Sequence, residues 1–314
     1  MVDRGGAPPF STSGFAVLHG HAHVDVHAAG GGATGTAGGS PGGRVALFRG
    51  LLGPEPTRRW GNDTHVIDAL RKGCFQVAPW PLSTANEVCT PGADAPALVA
   101  RARVRQAFWP GDKGYRYVFH DVMPREQGVG AGDANAALRA MVQTDLPVAR
   151  LSRVFGVDLR GPLRVNNFYL GSRGTGSVLH IHSAAINALA VGEKIWVTAP
   201  QSSMDTLARF HAGRVLNKSM ADFVLENLDV FVSEVPGSAI LVQRAGDVVY
   251  LPHYTFHATV NLQYNVGSAF SWTCEESAGC AVDGARVMQA QGQALAACTK
   301  KGVCDHSTRT CGCV

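Results

Sequence analysis

Two short segments constrain this chain most: Gly174-Thr-Gly-Ser-Val-Leu-His180-Ile-His182, and Gly246-Asp-Val-Val-Tyr-Leu-Pro252-His-Tyr-Thr-Phe-His257-Ala-Thr-Val-Asn261. In the first, His180 and His182 alternate at the end of an apolar run. Side chains of a strand repeat with period two, so both imidazoles are predicted on one face. In the second, the Gly246-Asp247 turn launches an apolar strand over 248–251, Pro252 breaks it, and His257 opens another strand. A third imidazole then arrives from a neighbouring strand, and the segments read as two halves of one metal site in a small β-barrel. Three imidazoles suit a first-row metal and leave coordination positions open for substrate or oxygen. Asp247 sits where aspartate commonly bonds turn backbone, so it is assigned to the turn and not to a metal.

The remainder of the chain is read as support for that barrel. An apolar fraction of 46% over 314 residues allows a substantial core. The net charge of +4 is spread without a basic run, which argues against nucleic acid as a partner. No stretch approaches the ~18 apolar residues of a membrane span. Residues 1–43 are rich in Gly, Ala and His (His19, His21, His23, His27), a composition that does not build a packed core, and they are expected to be largely disordered. The apolar run 15–18 is too short for a signal peptide, so either none is present or Met1 is not the natural start. Periodicity predicts strands over 45–48, 115–120 and 239–242, and helices over 62–72 and 133–143. Strands fill 164–200, and a helix-prone insertion follows over 203–228. A last helix over 283–299 gathers Val287, Ala290 and Ala294 on one face, a candidate homodimer contact. The expected organisation is a 1–43 segment, a 44–283 barrel domain, and a 284–314 helix with a cysteine-rich tail.

Eight cysteines bear on compartment. Cys298, Cys304, Cys311 and Cys313 crowd the tail, which resembles the opening of an EGF-like module. Their spacing suits disulfides better than zinc because two Cys-x2-Cys pairs are lacking. Cys74 with Cys89 and Cys274 with Cys280 are further candidate pairs. Acceptor patterns at Asn62-Asp-Thr64 and Asn217-Lys-Ser219 point the same way, to the lumen of the secretory pathway or to secretion.

The two metal-bearing segments match the paired motifs of the cupin superfamily. Gly174 is followed after five residues by His180-x-His182 and then Asn187; Gly246 is followed after five residues by Pro252, then His257 and Asn261. The second departs only where Tyr254 replaces a glycine. Leu179-His-Ile-His182, Asn187-Ala-Leu and Gly192-Glu-Lys-Ile-Trp196, followed by Pro200, resemble the core of the jumonji-C (JmjC) branch of 2-oxoglutarate oxygenases, over about residues 164–272. The His-x-His variant and the interval from His180 to Lys194 are most similar to a lumenal branch of that family.

The resemblance implies a mainly β (α+β) fold, a double-stranded β-helix of the cupin or jelly-roll type with flanking helices. It implies that His180, His182 and His257 hold Fe(II) and that Lys194 pairs with the distal carboxylate of 2-oxoglutarate. Ser177 then sets a hydroxyl on the same carboxylate, while Asn187, Asn261 and Tyr115 or Tyr117 line the cosubstrate pocket. The implied reaction is hydroxylation of a protein or peptide side chain. The residues themselves agree on Lys194: it follows the apolar run 188–192 and alternates inward against Glu193, and a buried cation needs an anionic partner. His182 departs from the pattern, because most active members have Asp or Glu there to complete a two-histidine, one-carboxylate triad. Two alternatives stand beside the oxygenase: a metal cupin working without 2-oxoglutarate, as dioxygenase or isomerase, and a non-catalytic scaffold.

Overall fold

The computed structural model describes residues 23–27, 45–79, 89–104, 116–122, 135–160, 165–177, 180–203, 206, 231–272, 304–305 and 310–311. Tyr115, nearly all of the insertion predicted over 203–228 and the helix predicted over 283–299 lie outside them, as do Cys274, Cys280, Cys298 and Cys313.

Two sheets face each other. The larger has nine strands in the order β1 (His23–His27), β2 (Val45–Arg49), β10 (Val248–Leu251), β7 (Ala184–Val191), β12 (Asn265–Trp272), β6 (Val165–Gly171), β5 (Arg116–Asp121), β3 (Cys74–Pro79), β4 (Cys89–Pro91). The smaller has the order β11 (Phe256–Asn261), β8 (Glu193–Ala199), β9 (Ala239–Arg244). Among the described residues, helices α1 (Pro54–Trp60), α2 (Asp63–Arg71), α3 (Ala95–Val104), α4 (Ala136–Asp145) and α5 (Val148–Phe155) accompany them. Asn62 caps α2, its side chain accepting from the Thr64 amide at 3.1 Å, as its sequence position predicts.

Period-two alternation sorts residues between the two faces of the large sheet. Ala46, Phe168, Ile186, Val248 and Tyr250 share one apolar cluster with Trp60, Val66, Leu138 and Leu151 of the helices. Their neighbours Val45, Leu47, Val249 and Leu251 cluster with Trp196 and Leu241 of the small sheet. Strands buried on both faces read as continuous apolar runs, which is why 248–251 shows no polar alternation. The arrangement is the expected cupin-like one: mainly antiparallel facing sheets with helices on the outer side.

The helical layer is tied by one buried carboxylate. Asp145, with its side chain 2% exposed, accepts from Arg59 Nη1 at 2.8 Å and Trp60 Nε1 at 2.8 Å and lies 2.5 Å from His65 Nε2. Asp145→Ala leaves an indole N–H unpaired in the core and takes from Arg59 the nearer of its two carboxylates, the other being Glu55 at 3.8 Å. It is expected to cost about 3 kcal/mol, read from the urea midpoint; a loss below about 1 kcal/mol would show the cluster to be incidental.

Three local outcomes differ from the sequence reading or refine it. Within the segment expected to be disordered, β1 pairs in parallel with β2, His23 opposite Val45 through to His27 opposite Arg49. The cause is the alternation of Val24 and Val26, a strand signal that the Gly- and Ala-rich surroundings obscured. Cys74 is opposite Pro91 and Cys89 opposite Gln76, so these cysteines are diagonal neighbours. In the tail, β13 (Cys304–Asp305) and β14 (Thr310–Cys311) are antiparallel, with Cys304 directly opposite Cys311.

Candidate metal centre

The stretch bearing the first histidines lies along the free edge of β11. The Asn261 amide donates to Thr175 O at 2.7 Å, the Thr259 amide to Ser177 O at 3.1 Å, and His180 and His257 exchange both backbone bonds at 3.0 and 2.9 Å. This approach needs glycine: a Cβ at Gly176 would sit 1.9 Å from Thr259 O. Past the rung between His180 and His257 the pairing stops. His182 therefore lies on irregular backbone and not on the regular strand that the alternation suggested. Its carbonyl accepts from the Tyr254 amide at 2.9 Å, and the Ala184 amide donates to His253 Nδ1 at 3.0 Å. Tyr254 adopts φ 58, the left-handed region. A glycine takes that conformation without strain, which explains the residue type usual at this position of the motif.

The three imidazoles converge. Their ring centroids are 4.1 Å (His180–His257), 4.5 Å (His182–His257) and 5.3 Å (His180–His182) apart, and one ligating nitrogen from each lies within 4.8 Å of the others. His257 Nδ1 is 2.8 Å from Thr255 O, and His182 Nδ1 is 2.6 Å from Ser183 O. Carbonyls only accept, so both rings carry the proton on Nδ1 and present a bare Nε2. Burial holds His257 and His182 below the usual imidazole range, with the other two rings adding to the effect on His257. Neutral rings of fixed tautomer are ready ligands, so the donor set fits a divalent first-row metal. Asp247 has other work. Its carboxylate accepts from the Gly50 and Arg244 amides at 2.9 and 3.0 Å and from Arg49 at 2.9 Å, the turn role expected of it.

Lys194 shares a sheet face with His257. In the small sheet His257 is opposite Thr198, Thr259 opposite Trp196 and Asn261 opposite Lys194. Lys194 thus lies two same-face rungs from the histidines, about 13 Å along the strand. It is 1% exposed, and among the described residues no carboxylate pairs with it. Its Nζ rests 3.8 Å from the Tyr169 ring centroid and 5.7 Å from that of Trp196, and burial brings the ammonium down to about 7. A cation–π contact offsets only part of the cost of burying a charge, so this side chain fits an anionic ligand.

The other sequence-derived residues surround the same interior. Asn187 accepts from the Tyr169 hydroxyl at 2.6 Å. Asn261 donates to Thr175 Oγ1 at 3.0 Å and accepts from Asn265 Nδ2 at 2.7 Å. Ser177 Oγ is 3.0 Å from Thr259 Oγ1, and Tyr117 stacks beside Tyr169 at 6.5 Å. Three participants escaped the sequence reading: Tyr169, Thr259 and Gln243. Tyr169 alternates with Asn167 and Gly171 on β6, a signal available in principle. Gln243, bonding Trp196 Nε1 at 2.8 Å and Asn187 O at 2.8 Å, has no local signature because its partners are remote in sequence.

Residues 167–272 match the family described as JmjC domain, hydroxylase. The matched segment runs from β6 to the end of β12 and contains all three histidines, Lys194, Ser177, Asn187 and Asn261. No curated protein matches the chain. The match covers about a third of the chain, and it agrees with the cupin-like sheets and with a His triad able to bind metal.

Proposed function

We propose that this protein is an Fe(II)- and 2-oxoglutarate-dependent oxygenase that hydroxylates a side chain of a protein or peptide in the lumen of the secretory pathway. The observation that carries the reading is the interior face of the small sheet, with three imidazoles converging at one end and, toward the other, a buried ammonium that no carboxylate among the described residues pairs. With Fe(II) bound, dioxygen would be the oxidant and 2-oxoglutarate the co-reductant, leaving as succinate and CO2, for hydroxylation of an unactivated C–H bond. The chain's part is to bind and orient. Thr255 O and Ser183 O fix two of the imidazoles with Nε2 inward, and the Lys194 ammonium receives the distal carboxylate of the cosubstrate. The Ser177 and Thr259 hydroxyls lie on the edge between those ends, and Trp196 with Leu241 keeps water from the wall that joins them.

The test is an anaerobic titration of the purified protein with Fe(II) and 2-oxoglutarate, followed by succinate formation in air. A visible charge-transfer band and turnover are expected for the native chain, and His180→Ala is expected to lose both while still unfolding cooperatively. Turnover retained in that variant would overturn the ligand assignment. The imidazole of His182, standing where a carboxylate is usual, favours one second reading: a three-histidine metal cupin that works without 2-oxoglutarate. Iron binding with no band, unaffected by Lys194→Ala, would select it.

The lumenal assignment rests on the cysteines and on resemblance to the branch of jumonji domain-containing protein 8. Cys304 and Cys311 are register partners, so peptide mapping under non-reducing conditions is expected to find them joined. Free thiols at both positions in the protein isolated from its cell would overturn the assignment. A homodimer through residues 283–299 is part of the same proposal, and sedimentation of a chain ending at residue 282 checks it.

A further inference from the structure

We infer, resting on the oxygenase reading, that Tyr169 limits the length of the dicarboxylate the site accepts, by forming with Tyr117 and Leu189 the floor on which the Lys194 ammonium rests. Register places this floor away from the histidines. β7 starts at Ala184, just past His182, and Leu189 lies roughly 17 Å further along the strand. Leu189 is opposite Gly267 of β12, and Gly267 is opposite Tyr169 of β6. On β5, Phe119 is opposite Tyr169, and Tyr117 shares the face of Phe119. Tyr117, Tyr169 and Leu189 make one buried apolar cluster. Lys194 Nζ lies against it, 3.8 Å from the Tyr169 ring centroid.

The floor does not yield, because the Tyr169 ring is held at both ends. One end is the β6 backbone. At the other the hydroxyl donates to Asn187 Oδ1 at 2.6 Å, with Ala188 O at 3.2 Å, and both acceptors belong to β7, the strand beyond β12. The phenol crosses β12 where that strand carries a glycine: a Cβ at Gly267 would lie 2.1 Å from the Tyr169 hydroxyl oxygen. Tyr117 stacks beside the ring at 6.5 Å. Interiors packed in this way leave no slack into which the ammonium can recede. A ligand held by the imidazoles at one end must meet Lys194 at the other, so the floor fixes its length. One added methylene then weakens binding by roughly tenfold or more.

The experiment is anaerobic titration of the Fe(II)-loaded full chain with 2-oxoglutarate and with 2-oxoadipate, which is one methylene longer, read by the visible band and by calorimetry. The native chain is expected to bind 2-oxoglutarate at least roughly tenfold more tightly than 2-oxoadipate. Tyr169→Leu, which lowers the floor, is expected to bring the two affinities within about threefold of each other. Tyr169→Phe keeps the ring and is expected to keep the native preference. A native chain that takes both acids equally well overturns the inference, whether or not the variants fold. So does a cooperatively folded Tyr169→Leu that loses affinity for both acids alike, which is how a residue of purely structural importance behaves. No band with either acid in the native chain defeats the oxygenase reading and this inference together. A band with 2-oxoglutarate and an unchanged ratio in Tyr169→Leu defeats this inference alone.

Discussion

Lys194→Met is expected to raise the stability of the ligand-free protein and, on the proposed oxygenase reading, to abolish 2-oxoglutarate binding. Lys194 is wholly buried, lacks a carboxylate partner among the described residues, and has its ammonium brought down to about 7 from the ordinary 10.5. The unfolded chain keeps the higher value, so folding at pH 7 works against this residue. A shift of that size corresponds to about 4 kcal/mol at pH 7, and methionine fills nearly the same volume without a charge. A gain of about 3 kcal/mol, or roughly 8 °C in Tm, is therefore expected in thermal unfolding of the metal-free protein. The same variant should show iron binding with no cosubstrate band. An unchanged or lowered Tm would mean that Lys194 already has a compensating partner, and the cosubstrate assignment would lose its physical basis. The sign can be checked in the native protein alone. Between about pH 7 and 10.5 the unfolded state binds more protons at this site than the folded state, so this residue makes stability rise with pH across that window.

The affinity for 2-oxoglutarate runs the other way. A dicarboxylate binds the protonated amine, and with the free-state value at about 7 the protonated fraction falls tenfold per unit as pH rises above it. Binding to the iron-loaded protein is accordingly expected to be about 50-fold weaker at pH 9 than at pH 7, with proton uptake visible in calorimetry in buffers of different ionisation enthalpy. Guanidinium stays charged throughout, so any residual binding by Lys194→Arg should be flat over the same range. A flat profile in the native protein would remove Lys194 from the cosubstrate site.

The site was legible where its chemistry is local. His180-x-His182, Pro252 and His257 stand out because each constrains the backbone or offers a ligand within a few residues, and the strands that carry them follow from apolar runs punctuated by glycine and proline. Legibility failed where tertiary register decides. Tyr169 matters because β6 faces the small sheet and sets its ring against Lys194, and Gln243 matters because two groups remote in sequence meet its side chain. The irregular setting of His182 was hidden as well: alternation predicts a strand, but the ladder ends at the preceding rung and the chain turns toward Tyr254. The strand at residues 23–27 was missed for the opposite reason, since composition averaged over a long window outweighed five alternating residues.

Strands β8 and β9 are adjacent in the small sheet, and their final rung joins Thr198 to Ala239, with Thr198 also opposite His257. The end of β8 and the start of β9 are thus neighbours, on the rung beside His257 of the candidate metal centre. Closing a longer or shorter excursion between fixed ends changes the free energy only slowly with length. The segment joining β8 to β9 can therefore vary in length and sequence while the histidines, Lys194 and the sheet register stay in place, so on the oxygenase reading the choice of substrate can change without rebuilding the chemistry.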